Sequence, residues 1–355
     1  MPFPFKPGCL PLLIGSLPLS DHAKAMALIL KYTPEIPSWP QLPTYREEMM
    51  VAQFLEGLPG VKEQGSSSFV DTEDEEFDVE LLRFYEEYLA VTEGSSDLLK
   101  SRFSLNEKTA KGFFKLIEVI ETLSPPPLAV KGQITGPVTA GTALKKKNGQ
   151  AVFYDEQMRD VLVKILTLKA RWQARSLSRI GSPVIIFIDE PGMAGFGSSE
   201  LISISREQVN QSFEPVIEGI KSEGGLAGIH VCANTDWSLI LESPFDIINF
   251  DAYSYFDRFI LYAEPIRRFI RNGGIIAYGL VPTLNIEDLQ KETPDSLSAL
   301  WEARVRLMAD LGIDRNQVIR QSLITPSCGA GSLNLDLMTK VLKLTRSISD
   351  RSRNG

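Results

Sequence analysis

Eight short runs rich in Val, Ile and Leu, most followed by a Gly, Pro or Ser cluster and then a helical stretch, constrain this chain more than any other feature. They are CLPLLIGS (9–16), GVKEQGSS (60–67), LAVKGQITGP (128–137), PVIIFIDEP (183–191), LAGIHVCAN (226–234), DIINFDAY (246–253), GIIAYGLVPT (274–283) and VIRQSLITPSC (318–328). Strands that are apolar along their length and alternate with helices are buried on both faces, which predicts a parallel α/β sheet. Eight such units predict a (β/α)8 TIM barrel, a single domain over residues 1–355. Apolar residues at helical spacing predict helices over EFDVELLRFYEEYLAV, EQMRDVLVKILTLKARWQARSL, REQVNQSFEPVIEGIKSE, SLSALWEARVRLMADLG and NLDLMTKVLKLTRSISDR, with Gly181 and Gly312 as C-caps. The piece from 17 to 59 is longer than an ordinary connection. Its proline-rich centre PEIPSWPQLP cannot be helical, so it is expected to lie over the barrel mouth.

In a barrel of this kind the chemistry sits where the strands' C-terminal ends feed the following loops. The polar residues of this chain fall there: Gly15 and Ser16, Thr135 and Gly136, Asp189 and Glu190, His230 and Cys232, Asp251, and Cys328. His230 and Cys232 in GIHVCAN, with the distant Cys328 in TPSCGAGS, have the look of a zinc site assembled from separate strands. The alternative is that the cysteines are small core hydrophobes and His230 a satisfied buried histidine. With 355 residues, 43% of them hydrophobic, the chain can bury a large core, so a metal here would be a reagent rather than a staple. The fifth, sixth and eighth runs are near neighbours in a barrel, which places His230, Cys232, Asp251 and Cys328 within reach of one ion.

Composition excludes several classes. A net charge of −8 argues against a nucleic-acid partner. No apolar run approaches the roughly 18 residues that span a bilayer, and the start MPFPFKPG lacks a signal-peptide pattern. Three cysteines without framework spacing fit a reducing compartment, so a cytoplasmic protein with no membrane association is expected.

With LLIGSLP near the start, KGQITGPVTAG, IDEP, HVC and TPSCG, the chain resembles, over nearly its whole length, the C-terminal catalytic domain of cobalamin-independent methionine synthase, within the uroporphyrinogen decarboxylase-like barrel superfamily. The resemblance implies zinc-dependent methyl transfer to a small-molecule thiol, homocysteine above all, with His230, Cys232 and Cys328 holding Zn2+. The family's fourth ligand is a glutamate at the end of strand six, and Asp251 stands at the matching position. Ile14, Gly15, Ser16 and Asp189 match substrate contacts, and Asp189 and Asp251 are the expected catalytic carboxylates. Two departures stand out. The family's HGE motif, whose glutamate helps to bind the homocysteine amine, is absent from the corresponding stretch QLPTYREEM, and the extra N-terminal barrel of the full-length enzymes is not in this sequence. The chain is similar in that respect to core methionine synthases and to methylcobamide-dependent thiol methyltransferases of the coenzyme M type. The expected donor is therefore a methylcorrinoid, with a corrinoid protein as a partner, or methyltetrahydrofolate. A metal-free uroporphyrinogen decarboxylase-like activity and a non-catalytic accessory role are the competing functions.

Individual residues keep two readings. Asp189 pairs with the ammonium of an amino-acid thiol or caps the following segment. Glu190 faces the chemistry or is tied to the barrel wall. Lys145, Lys146 and Lys147 form a solvated loop or meet an acidic partner. His22 and Cys9 read as structural, and Trp39 and Phe196 as packing within loops at the mouth.

Overall fold

In a computed structural model, residues 5–65, 67–196 and 203–354 describe an α/β fold around a curled parallel sheet. The first residues of MPFPFKPG and Ser66 of the second run lie outside these ranges. Ten strands are present among the described residues: β1 (Leu10–Pro11), β2 (Val61–Gln64), β3 (Ser67–Val70), β4 (Val130–Thr135), β5 (Lys145–Lys146), β6 (Val184–Asp189), β7 (Leu226–Val231), β8 (Ile247–Phe250), β9 (Ile275–Val281) and β10 (Ser322–Pro326). Seven of them form the main sheet in the order β1-β10-β9-β8-β7-β6-β4, all parallel. The five helices read from periodicity are found at Phe77–Thr92, Glu156–Ser178, Arg206–Ser222, Pro294–Asp310 and Leu335–Asn354. Gly181 and Gly312 lie just past two of them, each with φ of 81°.

Alternation along the strands divides the core in two. Ile186 and Ile188 of β6 point outward into the large cluster between sheet and helices. Ile185 and Phe187 point inward, meeting Leu10, Leu12, Ile247, Ile275, Ala277 and Leu323 in a smaller interior cluster.

The second run corrects the eight-strand expectation. Residues 60–67 do not enter the main sheet; β2 forms an antiparallel hairpin with β3, and β5 joins β3 on its other side. The reason is polarity. Lys62, Glu63 and Gln64 follow a single valine and are partly or fully exposed, so the run could not be buried on both faces.

The proline-rich segment instead spans the gap between β1 and β4, through isolated parallel bridges of Ser16 with Gln41 and of Ser38 with Lys131. The Lys131 amide donates to the Pro37 carbonyl at 3.0 Å, the Gln41 amide to the Gly15 carbonyl at 3.1 Å, and the Leu17 amide to the Gln41 carbonyl at 3.0 Å. Pro37 and Pro40 lack an N–H, so the ladder is interrupted where an ordinary strand would continue it. Side chains make up the difference: Gln133 Nε2 donates to the Trp39 carbonyl at 3.0 Å, and Trp39 Nε1 to Gln173 Oε1 at 3.1 Å. Ile36 joins the interior cluster, while Trp39 packs edge-on against Phe113 on the outer side. The centre of the segment is therefore wall, and only its continuation from Gln41 to Met50 reaches the mouth.

Three lesser expectations are settled by packing. Cys9 is buried, His22 is paired inside the protein with Glu48, and Phe196 is buried. Lys146 pairs with Asp155 at 2.6 Å, Lys147 pairs with Asp71 at 2.9 Å, and Lys145 donates to the Thr142 carbonyl at 2.6 Å, so all three lysines have partners within the chain.

The seat of the gap-spanning segment can be tested at Gly112, where an added Cβ would lie 2.0 Å from the Pro40 carbonyl oxygen. Gly112→Ala is expected to destabilise the protein by about 1–3 kcal/mol, read as a lower urea midpoint at unchanged slope.

Candidate functional site

Parallel strands present all their C-terminal ends at one edge, and register then decides which side chains meet. Asp189, His230 and Asn249 are direct partners across β6, β7 and β8, so the three side chains stand in a row facing the interior. Asn249 donates through Nδ2 to the Ala277 carbonyl and to Thr325 Oγ1, both at 2.8 Å. A carbonyl can only accept, so the amide orientation is settled, and Asn249 Oδ1 is left to accept a hydrogen bond from His230 Nδ1. The proton is thereby fixed on Nδ1. His230 Nε2 is buried, carries the lone pair, and has no hydrogen-bond partner.

Cys232, one residue past the end of β7, and Cys328, two past the end of β10, complete a cluster with His230 in which all three donor atoms lie within 4.8 Å of one another. Cys232 is pulled down to about 4, chiefly by the hydrogen bond from the Cys328 thiol, and Cys328 is pushed up by giving it. A set of one imidazole nitrogen and two cysteine sulfurs, with a buried unpartnered nitrogen among them, is what a zinc ion takes. Of the two readings of these residues, core filling and metal ligation, the geometry matches the second.

Glycine makes the Cys328 approach possible. A Cβ on Gly329 would fall 2.0 Å from Ser16 Oγ. Its absence lets the loop settle on the end of β1, where the Ala330 amide donates to the Ser16 carbonyl at 3.0 Å and the Gly331 amide to Ser16 Oγ at 3.3 Å.

The cluster lies on the wall of a cavity of about 410 Å3. Ile14, Ser16 and Asp189, the expected substrate contacts, line it. The outer wall is apolar, made by Pro43, Met49, Met50, Pro191 and Leu284. Among the described residues no lysine or arginine lines it. Asp189 is buried with Oδ1 unpaired, and burial pushes its carboxyl up to about 6 against the pull of Lys131 and His230.

Gly15 is adjacent, with its position for a Cβ 3.0 Å from Gln133 Nε2. Asp251 is buried just past β8, but it stands outside the three-donor cluster, and its Oδ1 accepts the Ser254 amide at 2.9 Å. Glu190 follows the wall reading: its oxygens accept the amides of Val138 and Thr139 at 2.9 and 2.8 Å and the Thr139 hydroxyl at 2.6 Å, at the start of helix Pro137–Ala143. Gly136 permits this, since a Cβ there would be 2.1 Å from the Glu190 carboxyl.

Three buried polar residues at or behind the cavity escaped sequence reading. Asn249 sits in an apolar run where only register reveals its partner. Lys131, in KGQITGP, is a fully buried lysine inside the barrel. Glu48 belongs to QLPTYREEM, the stretch without the HGE motif, and lines the cavity with its oxygens held by His22 Nε2 at 2.6 Å and the Leu42 amide at 2.9 Å. The paired glutamates of that stretch were the available signal.

A curled parallel sheet with a nitrogen–sulfur cluster at its C-terminal edge defines a class of barrel-like α/β proteins whose mouth carries side chains that could hold a metal ion. Among solved structures the chain is similar to a B12-independent methionine synthase from Shewanella sp. W3-18-1 in complex with selenomethionine, at 15% identity over 98% of this chain and 98% of that one, with a TM-score of 0.57. A GH5-4 broad-specificity endoglucanase from Clostridium acetobutylicum aligns over 69% of this chain and 90% of that one at 12% identity, with a TM-score of 0.31. Neither a family model nor a curated protein matches the sequence. At 15% identity the first likeness establishes the fold, and it is the fold to which the sequence motifs pointed. No helix among the described residues is long and apolar enough to cross a membrane.

Asn249→Leu removes the acceptor for His230 Nδ1 at nearly constant volume. It is expected to weaken zinc binding about 10–100-fold in a chelator competition, with the protein still folded.

Proposed function

We propose that this protein transfers a methyl group to a thiol, with homocysteine as the acceptor and methionine as the product. One observation carries this: a buried imidazole nitrogen without a partner and two cysteine sulfurs meet on the wall of a pocket that holds Asp189 and Glu48 but no lining lysine or arginine among the described residues. Such a pocket favours an acceptor with an ammonium group. Homocysteine brings an ammonium that offsets its own carboxylate, whereas coenzyme M and uroporphyrinogen carry anionic groups with no ammonium beside them into a lining that holds no lysine or arginine among the described residues. The fold shared with a methionine synthase supports the same choice.

His230, Cys232 and Cys328 would hold Zn2+. Bound there, zinc would lower the pKa of an incoming thiol and keep it as the nucleophilic thiolate near neutral pH. The protein's own residues do the rest. Asn249 aims His230, Asp189 and Glu48 receive the ammonium end, Ile14, Gly15 and Ser16 shape the lip against the Cys328 loop, and the apolar outer wall excludes water from the reacting sulfur. Glu48 supplies the carboxylate that the missing HGE motif left unassigned. On this reading the chain is one catalytic unit, a (β/α)8 barrel with residues 36–41 as its second stave. The neighbour is B12-independent, which favours methyltetrahydrofolate as donor and leaves a methylcorrinoid as the second arm.

Zinc-loaded protein given methyltetrahydrofolate or methylcobalamin with homocysteine or coenzyme M is expected to yield methionine and no methylated coenzyme M. No thioether from either thiol with either donor overturns the proposal. Asp189→Asn is expected to raise the KM for homocysteine about tenfold or more while zinc content holds. Asp251 is proposed as the fourth donor, through the carboxylate oxygen that does not accept the Ser254 amide. An Asp251→Ala protein with full zinc affinity and turnover removes it from the set.

A further inference from the structure

Lys131 is a buried lysine inside the curled sheet to which the methyl-transfer chemistry gives no task. It leaves β4 on the same face as Gln133. Its Nζ donates to the Ile14 carbonyl at 2.5 Å and to Gln133 Oε1 at 3.1 Å, and stands 5.1 Å from the centre of the Phe187 ring. Burial pushes its amine down to about 8, against the pull of the Asp189 carboxylate. No ion pair links the two, so Asp189 Oδ1 stays unpaired and Lys131 spends its donors on the end of β1.

Burying an ammonium is costly, and a lysine of this kind is retained where its charge and donors set the geometry of something else. The carbonyl that it binds and the carboxylate whose charge it faces both belong to the pocket. The Ile14 carbonyl precedes the Gly15–Ser16 turn, on which the Cys328 loop settles. Asp189 is the carboxylate facing the cavity from the next strand.

We infer that Lys131 is a positioning residue for the amino-acid end of the acceptor. It pins the Ile14 carbonyl, and with it the lip of the pocket, and it offsets the charge of Asp189 from within the barrel so that the ammonium end meets a fixed lip and an unpaired carboxylate oxygen. What the pocket accepts rests on the thiol-methylation reading. The pinning of the lip does not.

The test therefore has two arms, both on zinc-loaded full-length protein. In the first, hydrogen exchange of the peptide spanning Leu12–Leu17 is compared between wild type and Lys131→Met, an uncharged side chain of similar length. The Leu17 amide is expected to exchange about tenfold faster or more in the variant, while the amides of β9 and β10 keep wild-type protection. In the second, L-homocysteine binding is measured by calorimetry for wild type, Lys131→Met, Asp189→Asn and the double variant. Lys131→Met is expected to weaken binding about tenfold with zinc content unchanged, and the double variant to bind no worse than the weaker single one.

A merely structural lysine would loosen β9 and β10 as well and give additive losses, and either result overturns the inference. So does wild-type exchange at Leu17. Wild-type protein that binds no homocysteine sinks the functional reading, and the exchange arm then decides this one by itself. Lys131→Gln, which keeps an N–H donor, is expected to lie between wild type and Lys131→Met in the first arm. It replaces Lys131→Met there should that variant fail to fold.

Discussion

Seven parallel strands leave two edges, β1 and β4, and everything at the mouth depends on how the backbone groups along those edges are satisfied. A buried edge with unpaired N–H and C=O groups is expensive, so something must span the gap. Residues 36–41 do so with two prolines in a six-residue stretch, which supply carbonyls but few amides. The shortfall is met by side chains. Gln133, Gln173 and Trp39 hydrogen-bond around the segment, and Gln41 Nε2 reaches Gln53 Oε1 at 2.6 Å on the far side. The chain leaving this wall then delivers Gln41, Pro43, Glu48, Met49 and Met50 to the cavity. The bridging of the two sheet edges and one wall of the cavity are thus two consequences of one segment.

The metal cluster has the same character, a local chemistry made possible by distant register. His230 cannot present Nε2 unless Nδ1 holds the proton, and that proton stays because Asn249 has already committed its amide hydrogens to Ala277 and Thr325. Four neighbouring strands, β7 to β10, therefore cooperate to orient one imidazole. Cys328 follows the last of them, and its loop rests on the segment after β1 through Ser16. Around the cluster the charge is mostly acidic, with Asp189 and Glu48 at the pocket and Glu190 tied to a helix start. Lys131 is the counterweight, placed below the cavity where it cannot itself contact solvent.

Much of this was legible in the residues. Apolar runs bounded by turn signals marked the seven main-sheet strands, and helical periodicity marked the five long helices. The second run misled because glycine and serine around one valine imitate a strand boundary, whereas burial needs apolar length. Prolines misled in the opposite direction. PEIPSWPQLP reads as a loop by any backbone rule, yet prolines are tolerated in a stave that pairs mostly through its carbonyls. Asp251 stands at the expected place just past β8, and only the tertiary structure shows that its Oδ1 accepts the Ser254 amide.

By itself the sequence determined which segments would be strands, that they would lie parallel, and that His230, Cys232 and Cys328 would emerge at one end, because these follow from local periodicity and chain direction. Only the tertiary structure decided which polar side chains stand opposite one another. That depends on register between strands far apart in the chain, and a shift of one residue would have turned Asn249 away from His230 and Lys131 away from Ile14.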